Sequence, residues 1–279
     1  MGRARGNGSI QASIAPRPGA ARLGIGCANL PGSLSKSDAL RLLETALDCG
    51  IGHFDTAPLY GWGAGEPLLG ELARRRRDEM TIVTKAGIAP PSLIARAIGK
   101  LTRREANARL GRFAPHQVRA SVETSLRALE VDYVDGLLLH EVQASQVGED
   151  LAALLQELKQ SGKTRALGLA TSAADTAKLV AAYPGLFQIV QLAGGAPAPA
   201  GDALLIRHSL LGTRLAEAVA KGGDRSATAE KLLRAALAQN PRGVTLFSSA
   251  RLEAVRRNAA LATAEQASGP RAAQLLGEE

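Results

Sequence analysis

Aromatic residues, cysteines and long apolar runs are scarce in this chain of 279 residues. Only 3% of the residues are aromatic although 46% are hydrophobic, so Ala, Leu and Val must fill the core, which suits parallel strands covered by helices. Two cysteines, Cys27 and Cys49, are too few for a disulfide framework and lack metal-ligand spacing, so we expect a reduced, cytoplasmic protein. No apolar segment reaches the roughly 18 residues that span a bilayer, and no membrane association is expected.

The charge balance is basic, with 34 Lys and Arg against 26 Asp and Glu and a net charge of +8. Such a balance suits nucleic acid, phosphorylated cofactors or plain solubility. Because no aromatic-interleaved patch accompanies the arginines, we do not expect nucleic-acid binding. Residues 1–18 carry arginines but no apolar core, which predicts a disordered arm rather than a secretory signal.

Strand and helix patterns alternate along the rest of the chain. Eight apolar strand segments are separated by amphipathic stretches, the first of which is predicted to be a helix with Ser37 as its N-cap. Eight parallel strands joined by crossovers close into a sheet without edges, which predicts a single (β/α)8 barrel over residues 19–263 and a flexible tail at 264–279. The connection from Gln191 to Leu204 is short and rich in glycine, so we expect the sixth helix to be reduced or missing.

Ionisable residues end three successive strands of this predicted barrel. Asp55, Lys85 and His140 each follow an apolar run, and Tyr60 lies in the loop after the first of them. The carboxyl ends of the strands in such a barrel meet at one rim, where active sites are built. We therefore expect these four side chains, called the rim residues below, to converge.

The four residue types suit acid–base chemistry on a carbonyl group. A lysine ammonium beside a phenol favours the phenolate, and a carboxylate holds that lysine in place. The tyrosine can then act as acid and base near neutral pH, while the histidine orients a carbonyl oxygen by donating to it. The sequence shows no metal-ligand cluster and no nucleophile with an adjacent base, so proton and hydride transfer fits better than hydrolysis.

Each rim residue, taken singly, also has a structural interpretation. The acid could cap a turn, the tyrosine could be a half-buried loop aromatic, the lysine could be solvated, and the histidine could be a hydrogen-bonded structural residue. Their shared rim favours the functional interpretation. Trp62 could wall a substrate pocket or cover the core, and Glu66 is predicted to cap the helix that follows.

Several motifs resemble the aldo-keto reductase superfamily. They are Phe54-Asp-Thr-Ala-Pro-Leu-Tyr-Gly-Trp-Gly, Thr84-Lys85, Leu137-Leu-Leu-His140 and Leu158-Lys-Gln-Ser-Gly-Lys-Thr-Arg-Ala-Leu-Gly168. The resemblance runs from about Leu23 to Gly168 and continues more weakly to Ala260. It implies that the rim residues are a catalytic tetrad for reversible hydride transfer between NAD(P)H and an aldehyde, ketone or sugar, with Tyr60 as the proton donor.

We also expect nine positions of this chain to bind the cofactor. They are Gly26, Cys27, Thr171, Gln191, His208, Ser248, Ser249, Arg251 and Asn258. Some positions depart from the family pattern. Ala170-Thr171 stands where Ser-Asn is usual, His208 replaces a tyrosine that stacks on nicotinamide, and Arg257 replaces an acid.

The altered cofactor positions can still be expected to hold a dinucleotide. Ser248 and Ser249 precede a helix whose amino-terminal N–H groups favour phosphate. Arg251 could pair with a 2′-phosphate or could be a solvated surface arginine. The sequence therefore favours NADP(H), with NAD(H) as the alternative.

A long basic connection from Ala86 to Ala114, with a short helix expected near 92–100, is of a length that is usually functional. This connection and Phe113-Ala-Pro-His-Gln-Val-Arg resemble the branch of the family that contains sugar and aldose dehydrogenases. We weigh three functions: an NAD(P)-dependent oxidoreductase, a non-catalytic family member that binds cofactor as a sensor or scaffold, and a basic nucleic-acid binder. The complete set of rim residues favours the first, with a small-molecule carbonyl or sugar as substrate and the oligomeric state left open.

Overall fold

Eight parallel strands close into a barrel in which each strand pairs with the next along the chain and the last pairs with the first. A computed structural model describes residues 22–88, 112–210 and 212–267. The strands are Leu23–Gly26 (β1), His53–Asp55 (β2), Thr81–Ala86 (β3), Val134–His140 (β4), Thr164–Ala170 (β5), Ile189–Ala193 (β6), Leu204–His208 (β7) and Val244–Phe247 (β8). The predicted barrel is thereby confirmed.

Helices follow most of the strands and cover the outside of the barrel. They are Leu30–Ser33 (α1), Lys36–Asp48 (α2), Gly65–Arg76 (α3), Pro115–Leu129 (α4), Glu149–Gln160 (α5), Ala173–Ala182 (α6), Gly212–Ala220 (α7), Arg225–Gln239 (α8) and Leu252–Ala267 (α9). The described chain passes from β6 to β7 without a helix. The prediction that the sixth helix is reduced or missing is therefore also confirmed.

Two apolar cores hold this architecture together, a large one between strands and helices and a small one inside the barrel. The inner core consists of Val83, Leu138, Ala166, Ile189, Leu204, Ile206, Val244 and Leu246. Because side chains alternate along a strand, Val83 shares its face with Lys85. A Cβ at Gly168 would collide with the Ile189 carbonyl oxygen, so glycine is what lets β5 and β6 approach here. The inner core fills the barrel below the polar rim.

Two predicted helix caps are wrong. Ser35 rather than Ser37 caps α2, because Ser35 has the extended backbone that an N-cap needs and its Oγ accepts from the Asp38 amide at 3.1 Å. Glu66 does not cap α3, because its carboxylate is buried and accepts from Thr84 Oγ1 at 2.6 Å. Burial raises the pKa of Glu66. This side chain ties α3 to β3 instead of closing the helix end.

The predicted boundary at residue 263 is too early. Helix α9 continues to Ala267, so the first residues assigned to the flexible tail are helical. The arm predicted at residues 1–18, residues 268–279 of the tail and the helix expected near 92–100 lie outside the described residues. Within the described ranges, no helix combines the length and the apolar character needed to cross a membrane.

Candidate active site

The rim residues converge on one cleft at the carboxyl ends of the strands. Asp55 and His140 are the last residues of β2 and β4, Lys85 is the penultimate residue of β3, and Tyr60 opens the short turn Tyr60–Gly63. All four line a cleft of about 1140 Å³. The alternation of polar ends and apolar runs in the sequence therefore predicted their common location correctly.

A buried ion pair lies at the floor of this cleft. Lys85 Nζ donates to Asp55 Oδ1 at 2.7 Å and to the Thr56 carbonyl oxygen at 2.9 Å. The two charged side chains are only 1% and 3% exposed. Burial lowers the pKa of Lys85, but the charge of Asp55 together with Tyr60 outweighs burial, and the net effect raises the pKa. Lys85 is thus held as a cation across the neutral range.

The Tyr60 phenol lies between this cation and an imidazole. Lys85 Nζ is 4.8 Å from the centre of the Tyr60 ring and hydrogen-bonds the tyrosine side chain. The rings of Tyr60 and His140 meet edge to face, with their centres 6.0 Å apart and an interplanar angle of 87°. An ammonium this close stabilises a phenolate, so the geometry equips Tyr60 to give and take a proton.

The backbone after β2 explains why Tyr60 faces the rim. The Thr56 amide donates to the Val83 carbonyl at 2.8 Å, which extends the sheet edge by one residue. Gly65 at the start of α3 lies so close to Tyr60 that a Cβ would be 3.0 Å from the tyrosine carbonyl oxygen.

Trp62 has a left-handed backbone (φ 58°), is 47% exposed and is not among the residues lining the cleft. Its role at a substrate pocket stays a prediction.

Five of the nine predicted cofactor positions lie on the cleft wall. They are Gly26, Thr171, Gln191, His208 and Ser248. Ser248 Oγ donates to the Gly26 carbonyl at 2.8 Å, which joins the ends of β8 and β1. Thr171 Oγ1 donates to the Val142 carbonyl at 2.7 Å. Burial lowers the pKa of His208, whose Nδ1 lies 2.9 Å from Ser209 Oγ.

The other four predicted positions are not among the residues lining the cleft. Cys27 is 1% exposed and belongs to the large core between strands and helices, where burial raises its pKa to about 12. Ser249 Oγ accepts from the Arg251 amide at 3.1 Å, and both residues lie just before α9 begins at Leu252. Asn258 lies within α9, beyond the cleft wall as described. The contact of these four residues with a cofactor stays a prediction.

The cleft wall also contains residues that the sequence did not single out. They are chiefly Ser209, Leu210, Gly212, Leu215, Ala216 and Arg225, from the end of β7 to the start of α8. Arg225 is exposed and forms no hydrogen bond or ion pair with a described residue. Its neighbour Ser226 accepts from Arg257 Nη1 at 3.1 Å, so a second arginine contacts the first turn of α8. Asp224 caps α8, and its Oδ1 accepts from the Ala227 amide. This capping residue is the sequence signal that could have placed Arg225 at the start of a helix.

Comparison with known proteins gives a consistent result. The Aldo/keto reductase family profile matches residues 22–193. D-threo-aldose 1-dehydrogenase of a Pseudomonas species is 33% identical over 166 residues, covering 55% of this chain and 50% of that protein. NADH-specific methylglyoxal reductase of Escherichia coli is 32% identical over 149 residues, covering 52% and 44%. The chain spans about half the length of the curated relatives it matches.

Solved structures share the fold. A putative aldo-keto reductase from Pseudomonas aeruginosa superposes with a TM-score of 0.68 at 21% identity, covering 90% of this chain and 95% of that one. An aldo-keto reductase from Klebsiella pneumoniae in complex with NADPH superposes with a TM-score of 0.64 at 18% identity, covering 86% and 85%. At these identities the likeness shows the barrel fold.

Proposed function

Because this chain belongs to the Aldo/keto reductase family, we propose that it is an NAD(P)H-dependent oxidoreductase acting on an aldehyde, ketone or sugar carbonyl. One observation carries the proposal: the Tyr60 phenol lies beside a buried lysine cation that a carboxylate holds in place. A nicotinamide, when bound, would supply or accept the hydride. The rim residues would perform the accompanying proton transfer.

In the direction of reduction, Tyr60 gives its proton to the carbonyl oxygen. The Lys85 ammonium stabilises the phenolate that remains, and Asp55 keeps this ammonium from turning into the cleft. His140, edge-on to the tyrosine ring, lies where its imidazole can orient the same oxygen. In oxidation the phenolate takes the proton from the alcohol, so one set of groups serves both directions.

The cleft fits a dinucleotide together with a small substrate. Its volume of about 1140 Å³ exceeds the range of about 300–1,000 Å³ that is usual for small-molecule sites. The wall runs from the rim residues past His208 to Gly212, where α7 begins, and on to Arg225. Amides at the start of a helix favour phosphate, so Gly212 lies at a suitable place for a pyrophosphate.

NADP(H) is the preferred cofactor in this proposal. Similar proteins include one solved with NADPH and one named as NADH-specific. The choice between the two cofactors therefore rests on the residues of this chain. Arg225 offers a guanidinium without a described partner on the cleft wall, and guanidinium groups pair well with phosphate. We now favour Arg225 over Arg251 for the 2′-phosphate, because only Arg225 lines the cleft.

The cofactor preference is tested by two matched substitutions. Arg225→Gln should raise the KM for NADPH about tenfold, the effect of losing about 1.4 kcal/mol from a charged contact, while the KM for NADH stays within about twofold. Arg251→Gln serves as the control and should change neither. A tenfold effect at Arg251 alone would refute the choice of Arg225, and equal effects on both cofactors would point to the pyrophosphate instead.

The activity itself is tested with a panel of aldehydes, ketones and aldoses in the presence of NADPH and NADH. Tyr60→Phe should lower kcat by about 10²–10⁴ without weakening cofactor binding. Tyr183→Phe is the matched control, because the Tyr183 hydroxyl donates to the Val147 carbonyl away from the cleft. Absence of turnover by the unmodified chain, or full turnover by Tyr60→Phe, would contradict the proposal.

A second candidate is a family member that binds cofactor without catalysis. The observation in its favour is that the Thr171 hydroxyl already donates its hydrogen to the Val142 carbonyl and the Ala170 side chain has no polar group, so neither side chain can donate to a carboxamide. Energy transfer from the single tryptophan to bound NADPH would measure affinity. Tight binding without turnover on any substrate would favour this candidate.

A further inference from the structure

Gln191 on β6 connects the far side of the barrel to the ion pair. Its side chain is buried, with 3% of the residue exposed, and its Nε2 donates to Asp55 Oδ2 at 2.8 Å across 136 positions of the chain. A carboxylate can only accept hydrogen bonds, so the amide must present its nitrogen to Asp55. The orientation of the Gln191 amide is thereby fixed.

Both oxygens of Asp55 are held as a result. Lys85 Nζ donates to Oδ1 at 2.7 Å and Gln191 Nε2 donates to Oδ2 at 2.8 Å. The strand neighbours of Gln191 are Ala170 and Ile206, and neither has a side-chain donor. Among the described residues, Gln191 is therefore the one side chain that secures the second oxygen.

We propose that Gln191 is a positioning residue that fixes the Asp55 carboxylate and, through it, the lysine beside the Tyr60 phenol. This inference rests on the proposed function for its kinetic consequences. One hydrogen of Nε2 is bonded to Asp55, so Oε1 and the second hydrogen of Nε2 are the amide groups left for a ligand. A ligand that bonds to either of them acts directly on the side chain that supports the ion pair.

Two substitutions separate positioning from simple cofactor contact. Gln191→Leu leaves Asp55 Oδ2 without its donor, so kcat should fall about tenfold even at saturating cofactor and substrate, a loss of about 1.4 kcal/mol. A residue that served only to bind cofactor would change KM and leave kcat intact. Gln188→Leu is the control: Gln188 lies just before β6 and accepts from Lys159, away from Asp55, so kcat should not change.

Gln191→Glu supplies a rescue experiment. A carboxylate at this position repels Asp55, so kcat should be low at alkaline pH. As the pH falls, the new carboxyl takes up a proton and donates to Asp55 as the amide did, so kcat relative to the unmodified chain should recover. A purely structural role predicts no such recovery. A constant ratio of the two kcat values across the pH range would overturn the proposal.

A double-mutant cycle tests the contact without relying on activity. The unfolding constants of Gln191→Leu, Asp55→Asn and the double variant should deviate from multiplicative behaviour by about fivefold or more. Multiplicative effects would refute the positioning role even if the chain is an active reductase. A chain without turnover that still shows the coupling would refute the proposed function and retain the contact.

Discussion

Replacing Asp55 with asparagine removes the charge that compensates Lys85 while keeping the shape of the side chain. Lys85 is 1% exposed, so water cannot take over the role of the carboxylate. Removing one partner of a buried ion pair costs about 3–5 kcal/mol. Because Lys85 keeps its bond to the Thr56 carbonyl at 2.9 Å, we expect the lower end, a loss of about 3 kcal/mol in the free energy of unfolding.

The size of this loss should depend on pH. In the unmodified chain burial lowers the pKa of Lys85, but Asp55 and Tyr60 raise it on balance above its ordinary value of 10.5. The stabilisation is then complete below pH 10.5 and is lost as the pH rises through the raised pKa. In Asp55→Asn the effect of burial prevails, so the folded pKa of Lys85 falls below the unfolded one. The variant should be most stable at alkaline pH and lose stability as the pH falls toward neutrality.

Urea unfolding of the full chain at about pH 7 and about pH 9.5 measures both effects. The deficit of Asp55→Asn should be larger at the lower pH. A double variant, Asp55→Leu with Lys85→Met, removes both charges and should recover most of the lost stability. A deficit below about 1 kcal/mol at both pH values, or a larger deficit at the alkaline pH, would show that the pair is not buried as a compensated ion pair.

Three further outcomes are expected. Asp135 is 1% exposed and accepts from two arginines and one backbone amide, so Asp135→Asn should cost about 3 kcal/mol in urea unfolding without lowering kcat. Glu130 is the C-cap of α4 and has a left-handed backbone of φ 53°, which glycine adopts more readily. Glu130→Gly should therefore raise the free energy of unfolding by about 1 kcal/mol and raise the thermal midpoint, because the exposed ion pair that it removes, with Arg74, contributes little. Because the pKa of Cys27 is raised to about 12 by burial, a thiol reagent near neutral pH should modify Cys49 in the folded chain and Cys27 only in denaturant; early reaction of Cys27 would contradict its burial.

The fold and the rim were predictable because their signals are local. An apolar run in the sequence indicates each strand, and Asp55 and His140 are the polar residues that end two of these runs. The missing helix before β7 was predictable for the same reason, since glycine and proline exclude a helix over a short connection. Helix starts were less predictable. Ser35 and Ser37 have similar capping propensity, and the backbone leaving α1 decides between them.

The rest of the site depends on contacts between distant parts of the chain. Glu66 stands at the start of a helix, where the sequence suggests a cap, yet its carboxylate is buried and hydrogen-bonded to a hydroxyl of β3. Arg251 looked suitable for phosphate because its guanidinium is close to a predicted helix start, whereas the start of α8 brings Arg225 to the cleft. No spacing in the sequence predicts that the amide of Gln191 meets Asp55. Such contacts follow from barrel closure, which no short segment encodes.

Closure of the barrel also has a consequence for how the chain folds. The pairing of β6 with β7 is local, since Arg207 reaches the Ala193 carbonyl over 14 positions. At the seam, Ser248 reaches the Gly26 carbonyl over 222 positions. The increase from 14 to 222 positions is about four doublings of loop length. At about 0.6 kcal/mol for each doubling, the entropic free-energy cost of closing the seam is greater by about 2 kcal/mol. We expect the parallel pair β6 and β7 to form early and the seam last, so amide hydrogens of β1 and β8 should exchange with solvent before those of β6 and β7.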